Sequence, residues 1–241
     1  MKNLIISLLI ALLSSSVSLA AENVKLEKAD IDLGDKQALE RGAGHYVTYC
    51  MGCHSIKYIR YLRLSRDFDI PEKTILEDVA PIGAGIYDKM LNAMNAHDAK
   101  KWFGIEPPDL SLVARSRGAD WIKTYLKSFY TDSTKPMGAN NIVFPDVGMP
   151  NMLWQLQGEQ HPVYKMENQK QIIEHLTNDG SGQLSPEQFD DFVDELVNFL
   201  VYASEPAQVE RQEMGKYVLF FILMFTVIAY LLKKEYWKDI H

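Results

Sequence analysis

From Tyr217 to Leu232 the chain reads YVLFFILMFTVIAYLL, and no charge interrupts it. A stretch apolar on every side must be buried whole or placed in lipid. A core helix of a water-soluble domain would rarely be followed by Lys233-Lys234 so near the chain terminus. With Met214 and Gly215 included, the run approaches the roughly 20 residues that one bilayer crossing needs. Lys216, Lys233 and Lys234 flank it, placed to snorkel towards the two interfaces. Tyr236 and Trp237 suit the aromatic belt. The sequence therefore predicts a transmembrane helix over 214–233. By the positive-inside rule, the basic tail at 234–241 lies in the cytoplasm.

The opposite end carries Lys2, an apolar run from Leu4 to Leu13, and small residues up to Ser18-Leu19-Ala20. That is the layout of a secretory signal peptide over 1–20; the alternative, a short membrane anchor, has too few apolar residues to span comfortably. The two ends agree on one topology. Residues 21–213 are expected to form a domain in the periplasm, held on the inner (cytoplasmic) membrane by a single pass. The formal net charge of −7 argues against a nucleic-acid partner, which needs a basic face. It favours basic protein partners instead.

Only two cysteines occur, and they form one motif, Cys50-Met51-Gly52-Cys53-His54. Cys-x-x-Cys-His is the attachment signature of c-type haem. Two thiols at this spacing add to the two vinyl groups on the haem edge, and the adjacent His54 becomes the proximal iron ligand. One covalently bound haem c is therefore expected. Three rivals use the same residues. A thioredoxin-like pair wants a strand before the motif, whereas Lys36–Tyr49 reads as helix. A zinc site needs four ligands and no second Cys pair exists. A disulfide across so short a loop is strained.

Periodicity and caps predict a mostly α fold. Helices are expected from Asp35 (the N-cap) to Tyr49, Ile56 to Arg66, Tyr87 to Trp102, and Leu110 to Ser116 with Asp109 as cap. Further helices are expected over Trp121–Tyr130, Lys170–Thr177 and Pro186–Tyr202. The last carries Phe189, Phe192, Val193, Leu196, Phe199 and Leu200 on one face. Gly42 and Gly44 would permit close approach of another helix. Residues 131–162 read as a long loop, and no strand is expected. Residues 177–188 have the outline of a calcium loop. Thr177 and Gln188 stand where such a loop needs Asp and a bidentate Glu, so a helix-linking turn is the better reading.

Several stretches beyond the haem motif resemble the cytochrome c1 family of the quinol–cytochrome c oxidoreductase (bc1) complex, in its proteobacterial form. They are Lys100-Lys101-Trp102-Phe103-Gly104 with Pro107-Pro108-Asp109-Leu110-Ser111; Arg115-Ser116-Arg117-Gly118; Phe144-Pro145 leading to Met149-Pro150; and Ser204-Glu205-Pro206 with Arg211 before the anchor. The resemblance implies a class I cytochrome c-like haem domain with inserted loops. It implies electron transfer from the Rieske iron–sulfur protein to a cytochrome c, within a dimeric membrane complex that includes cytochrome b. The chain would then be part of an enzyme without bond-making catalytic residues of its own. A stand-alone membrane-anchored cytochrome c feeding a terminal oxidase or reductase is the alternative. A haem peroxidase would need an open sixth position.

For the sixth ligand, a Met thioether favours ferrous iron and raises the potential. Met149, between Pro145 and Pro150, matches the family's position. Met152 is next, because Met-Pro-Asn-Met here replaces the Met-Ala-Pro-Pro of mitochondrial relatives. Met137, His97 and His161 remain further alternatives. The resemblance also assigns Pro108 to the proximal side of the haem and Arg117 to a haem propionate, a charge-assisted pairing for which Arg115 competes. Trp121 and Tyr125 would either flank the haem or serve as plain core.

Overall fold

The computed structural model describes residues 24–167 and 170–239; the expected signal peptide lies outside the described residues. Among these the chain runs α1 (Lys36–Tyr49), β1 (Ile56–Arg60), α2 (Tyr61–Phe68), β2 (Lys89–Met90), α3 (Ala96–Phe103), α4 (Val113–Arg117), α5 (Ala119–Lys127), β3 (Phe129–Thr131), β4 (Ala139–Asn141), α6 (Trp154–Gln157), β5 (Gln160–Glu167), β6 (Lys170–Asn178), α7 (Pro186–Ser204) and α8 (Gln208–Tyr236). A turn at Glu72–Thr74 runs into π-helical Ile75–Val79. The architecture is mostly α with three small antiparallel two-stranded sheets.

Helices α1 and α7 form the centre. Asp35 caps α1, its carboxylate accepting from Gln37 N and Ala38 N. Ser185 and Gln188 cap α7 reciprocally, with Pro186 at its first position. Leu39, Ala43 and Tyr46 of α1 are buried with Phe189, Phe192, Val193, Leu196, Phe199 and Leu200 of α7 in one core. Where the helices cross, a Cβ on Gly42 would lie 2.1 Å from the Glu195 carbonyl oxygen, so only glycine fits there. Gly44 faces open space. The Glu195 carboxylate closes the crossing from outside, accepting from Arg41 Nε at 2.6 Å and pairing with His45 Nε2 at 3.0 Å.

Extended residues before α1 form a strap across α5 and α7. Glu27 N donates to Thr124 Oγ1 at 2.8 Å, Ala29 N to Asp120 Oδ1 at 2.9 Å, and Asn198 Nδ2 to the Asp32 carbonyl at 2.8 Å. Beneath it, the buried Lys123 ammonium donates to Asp194 at 2.7 Å and Asp190 at 3.0 Å. Burial alone would lower this lysine's pKa, but the two carboxylates outweigh it and the net shift is upward. Breaking such a buried pair costs about 3–5 kcal/mol, so α5 and α7 are fastened to each other beneath the strap.

The strands overturn several expectations. Ile56–Arg60 is strand, paired with Lys89–Met90 through an irregular register, so the helix expected from Ile56 starts only at Tyr61. The helix expected over Tyr87–Trp102 shrinks to Ala96–Phe103, because β2 takes its first part and Asn95 caps the rest. Lys170–Thr177 is also strand. Ile172, Ile173 and Leu176 suit a helix locally, but the partner strand β5 pairs along the whole segment. The helix from Trp121 ends at Lys127, since Phe129–Thr131 pairs with Ala139–Asn141. The loop expected over 131–162 thus contains β4, α6 and the start of β5. The turn expected to link two helices at 177–188 instead joins strand β6 to α7, and Asp179 Oδ1 accepts from Ser181 N, Ser181 Oγ and Glu159 N at 2.9, 2.7 and 3.1 Å.

Helix α8 has 29 residues with a mean hydropathy of 2.1 over its most apolar stretch, and its side chains are unburied throughout. It is long and apolar enough to cross a membrane and starts six residues before the span expected from sequence. Glu205 accepts from Arg211 Nε at 2.6 Å across the junction of α7 and α8.

The α1–α7 crossing yields a prediction. Gly42→Ala is expected to destabilise the haem domain by about 1–3 kcal/mol through overpacking. Gly44→Ala, with open space around it, is expected to be neutral or stabilising by up to about 1 kcal/mol. Thermal unfolding of the two variants in detergent measures both, and equal melting temperatures would contradict the crossing geometry.

Candidate haem site

The motif is a tight turn that continues α1. Cys50 N donates to the Tyr46 carbonyl at 2.8 Å; Cys53 N and His54 N both reach the Cys50 carbonyl, at 3.1 and 2.9 Å. Both cysteines are free thiols. Burial, reinforced by Cys53, pushes the Cys50 thiol up to about 12, and burial also raises Cys53. A helix, α1, leads into the motif where a thioredoxin-like pair has a strand, and the sequence holds no second cysteine pair for a four-thiolate zinc site.

His54 Nδ1 lies 2.8 Å from the Pro108 carbonyl oxygen. A carbonyl only accepts, so Nδ1 carries the proton and the lone pair on Nε2 is free to bind a metal. Burial lowers the imidazole pKa; the Pro108 bond and Asp109 oppose it without reversing it. The ring is therefore held neutral, the form that ligates. Its backbone is pinned as well: the Tyr46 hydroxyl, wholly buried, donates to the His54 carbonyl at 2.6 Å, and Asn92 Nδ2 donates to the Cys53 carbonyl.

Residues 108–111 lie along residues 54–58. Leu110 N donates to the Ser55 carbonyl at 2.8 Å, Lys57 N to Asp109 Oδ2 at 3.0 Å, and Tyr58 N to the buried Ser111 Oγ at 3.2 Å. Asp109 was expected to cap a helix beginning at Leu110. Its carboxylate instead joins Lys57 N and Ser111 N, and the helix starts at Val113. The Pro-Pro-Asp-Leu-Ser stretch is thus a strap that fixes the histidine's tautomer and position.

Met149 sits half-buried beside Phe129, Ala139 and Val147. Its Sδ accepts from the Tyr125 hydroxyl at 3.3 Å. The preceding Gly148 packs on the residues leading into the strap: a Cβ there would lie 3.0 Å from the Phe103 carbonyl and 3.2 Å from Ile105 Cγ2. One segment, 103–111, therefore touches the methionine loop at one end and the histidine at the other. Asn141, wholly buried, shapes the loop's start, its Oδ1 accepting from Val143 N and Phe144 N at 2.9 and 3.1 Å. Sequence reasoning missed Asn92 and Asn141; for Asn141 the only signal was an Asn pair ahead of a loop with two prolines.

The other expected residues are also placed. Met152 is 40% exposed. His161 Nδ1 is engaged by the Thr131 hydroxyl at 2.8 Å, and His97 lies in the first turn of α3. The Arg117 guanidinium lies 5.0 Å from the Trp121 ring centroid, and Trp121 stacks on Tyr125 at 5.0 Å and 9°. Arg115 is exposed and close enough to Glu205 to lower that carboxyl's pKa, although the Arg211 bond contributes more. Leu110, Val113, Ala114, Trp121 and Tyr125 pack half-buried on the same core as Cys50, leaving apolar surface beside the motif's helix. The donor set fits a haem: two thiols at the Cys-x-x-Cys spacing, an imidazole with a free Nε2, a thioether, and apolar residues for a flat apolar ring.

The sequence matches the Cytochrome C1 family over residues 30–240. A cytochrome c1 of Allochromatium vinosum is 44% identical over 244 aligned residues, covering 100% of both chains. A Nitrosomonas europaea protein named ammonia monooxygenase gamma subunit is 42% identical over 92% of each chain. Rhodobacter capsulatus cytochrome c1 is 25% identical over 98% of this chain and 97% of its own length. With the motif turn, the tautomer lock and the apolar C-terminal helix in place, the chain belongs to the cytochrome c1 family, whose members carry a covalently bound c-type haem and transfer electrons in the respiratory bc1 complex.

Proposed function

We propose that this chain holds its haem by thioethers at Cys50 and Cys53, ligates it through His54 Nε2 and Met149 Sδ, and relays electrons from the Rieske iron–sulfur protein to a cytochrome c. The observation that carries the reading is the His54 Nδ1–Pro108 bond at the end of a Cys-x-x-Cys turn, which leaves one nitrogen for iron. The haem would supply a one-electron couple; the chain's own residues hold both ligand side chains in place. Pro108 fixes the proximal imidazole through its carbonyl. Arg117 is proposed for a propionate, since stacking on Trp121 leaves its N–H donors free. Cytochrome b is the partner that carries the quinol chemistry, in a dimeric complex.

If His54 and Met149 both hold the iron, no position would be left for oxygen or peroxide. That argues for electron carriage rather than peroxidase chemistry, and rather than oxygen insertion of the kind named for the Nitrosomonas relative. The proposed topology places residues 21–213 in the periplasm, an anchor at 214–233 and a cytoplasmic tail at 234–241. The lysines flanking the apolar run support it.

Two outcomes are expected. His54→Ala should accumulate no stable holoprotein, read as loss of the haem-stained band and of the reduced-minus-oxidised c-type spectrum in membranes; a full-intensity band would sink the ligand assignment. Truncation before Lys216 should release a haem-bearing soluble domain into the periplasm. Retention in washed membranes after separation from its partners would refute the anchor.

A further inference from the structure

We infer that Tyr125 is a positioning residue for the iron's methionine: its hydroxyl donates to Met149 Sδ and thereby sets the haem potential upward. The inference rests on Met149 being the sixth ligand. A thioether sulfur has two lone pairs, so it can donate one to iron while the other accepts a hydrogen bond. The Tyr125 hydroxyl stands 3.3 Å from that sulfur and, among the described residues, bonds to nothing else. The contact is built rather than incidental. The Tyr125 ring is stacked on Trp121 at 5.0 Å and meets Phe129 edge-on at 5.1 Å, so it cannot swing away. Asn141 then ties the donor's helix to the start of the methionine loop. Its Nδ2 donates to the Tyr125 carbonyl at 2.8 Å, while its Oδ1 holds Val143 N and Phe144 N at the start of the methionine loop.

The direction follows from charge. A hydrogen bond drawn from the sulfur withdraws electron density, making it a poorer donor to ferric iron, which needs the donation more than ferrous iron does. Ferrous iron is then relatively favoured, and the potential rises. Hydrogen bonding behind the ligand atoms is one of the few means by which a protein tunes a haem.

Tyr125→Phe removes the hydroxyl and keeps the ring in its stack. In potentiometric titration of the intact complex, it should retain covalent haem and the ferric methionine-to-iron absorption band. The reduced-to-oxidised ratio at a fixed poise should fall three- to tenfold, a drop of about 28–59 mV at about 59 mV per tenfold. Replacing Tyr125 by 3-fluorotyrosine, a stronger donor of similar size, should move the potential the other way; this keeps the test open should the phenylalanine variant fail to accumulate. Met149→Leu, run in parallel, should abolish the band and admit carbon monoxide to the reduced haem. If Met149→Leu does so while Tyr125→Phe leaves the potential unmoved or raises it, the role of Tyr125 is refuted and the ligand stands. If Met149→Leu keeps the parent band and potential, the ligand reading falls, and this inference with it.

Discussion

A single hydrogen bond, from His54 Nδ1 to the Pro108 carbonyl at 2.8 Å, decides which imidazole nitrogen can meet a metal. Reversing the tautomer would point a proton where the iron must go. The bond exists only because the 108–111 strap is held against residues 54–58 by Ser55, Asp109 and Ser111. Those residues are held in turn by the α1 terminus, with Tyr46 bonded to the His54 carbonyl from inside the core. Orienting bonds of this kind are the usual support of a metal-binding histidine, and here they reach back to the helix pair.

The helix pair explains why the fold can bear that load. Gly42 lets α1 and α7 meet backbone against backbone, and the contact brings Tyr46 and Phe199 to 5.7 Å between ring centroids. Tyr46 thus belongs both to the core and to the haem turn. The strap before α1 and the Lys123–Asp190–Asp194 cluster fasten α5 to α7 on the other side. Helix α5 carries Trp121 and Tyr125, so both walls of the proposed haem site hang from α7.

What was legible in the sequence follows from range. The Cys50–His54 motif is contiguous, so its chemistry could be read outright. The α1 and α7 boundaries depend on local signals, the Asp35 cap and Pro186 at the first position of α7, and came out close. In the sequence Gly42 and Gly44 read equally as points of close approach, since nothing local separates the two. Segments whose state depends on a distant partner were misread. Ile172, Ile173 and Leu176 fit one helical face, and only β5 makes them a strand. Ile56–Arg60 likewise needs Lys89–Met90. In the sequence Tyr125 reads only as an aromatic residue that flanks the haem or serves as plain core. Its pairing with Met149 spans 24 positions and leaves no local trace.

The two expected ligands are reached by one stretch of chain, and this bears on how an electron carrier works. A relay is fastest when its metal's surroundings change little between oxidation states, so both axial ligands should be stiff in either state. Separate mobile loops would let each ligand drift independently. Residues 103–111 instead back the methionine loop at Gly148 and bond the histidine at Pro108. Displacing one end therefore strains the other. Tyr125 and Asn141 close the same frame on the methionine side. Rigidity and potential are then set by the same few residues, because the hydroxyl that holds Met149 in place is also the group that draws charge from its sulfur.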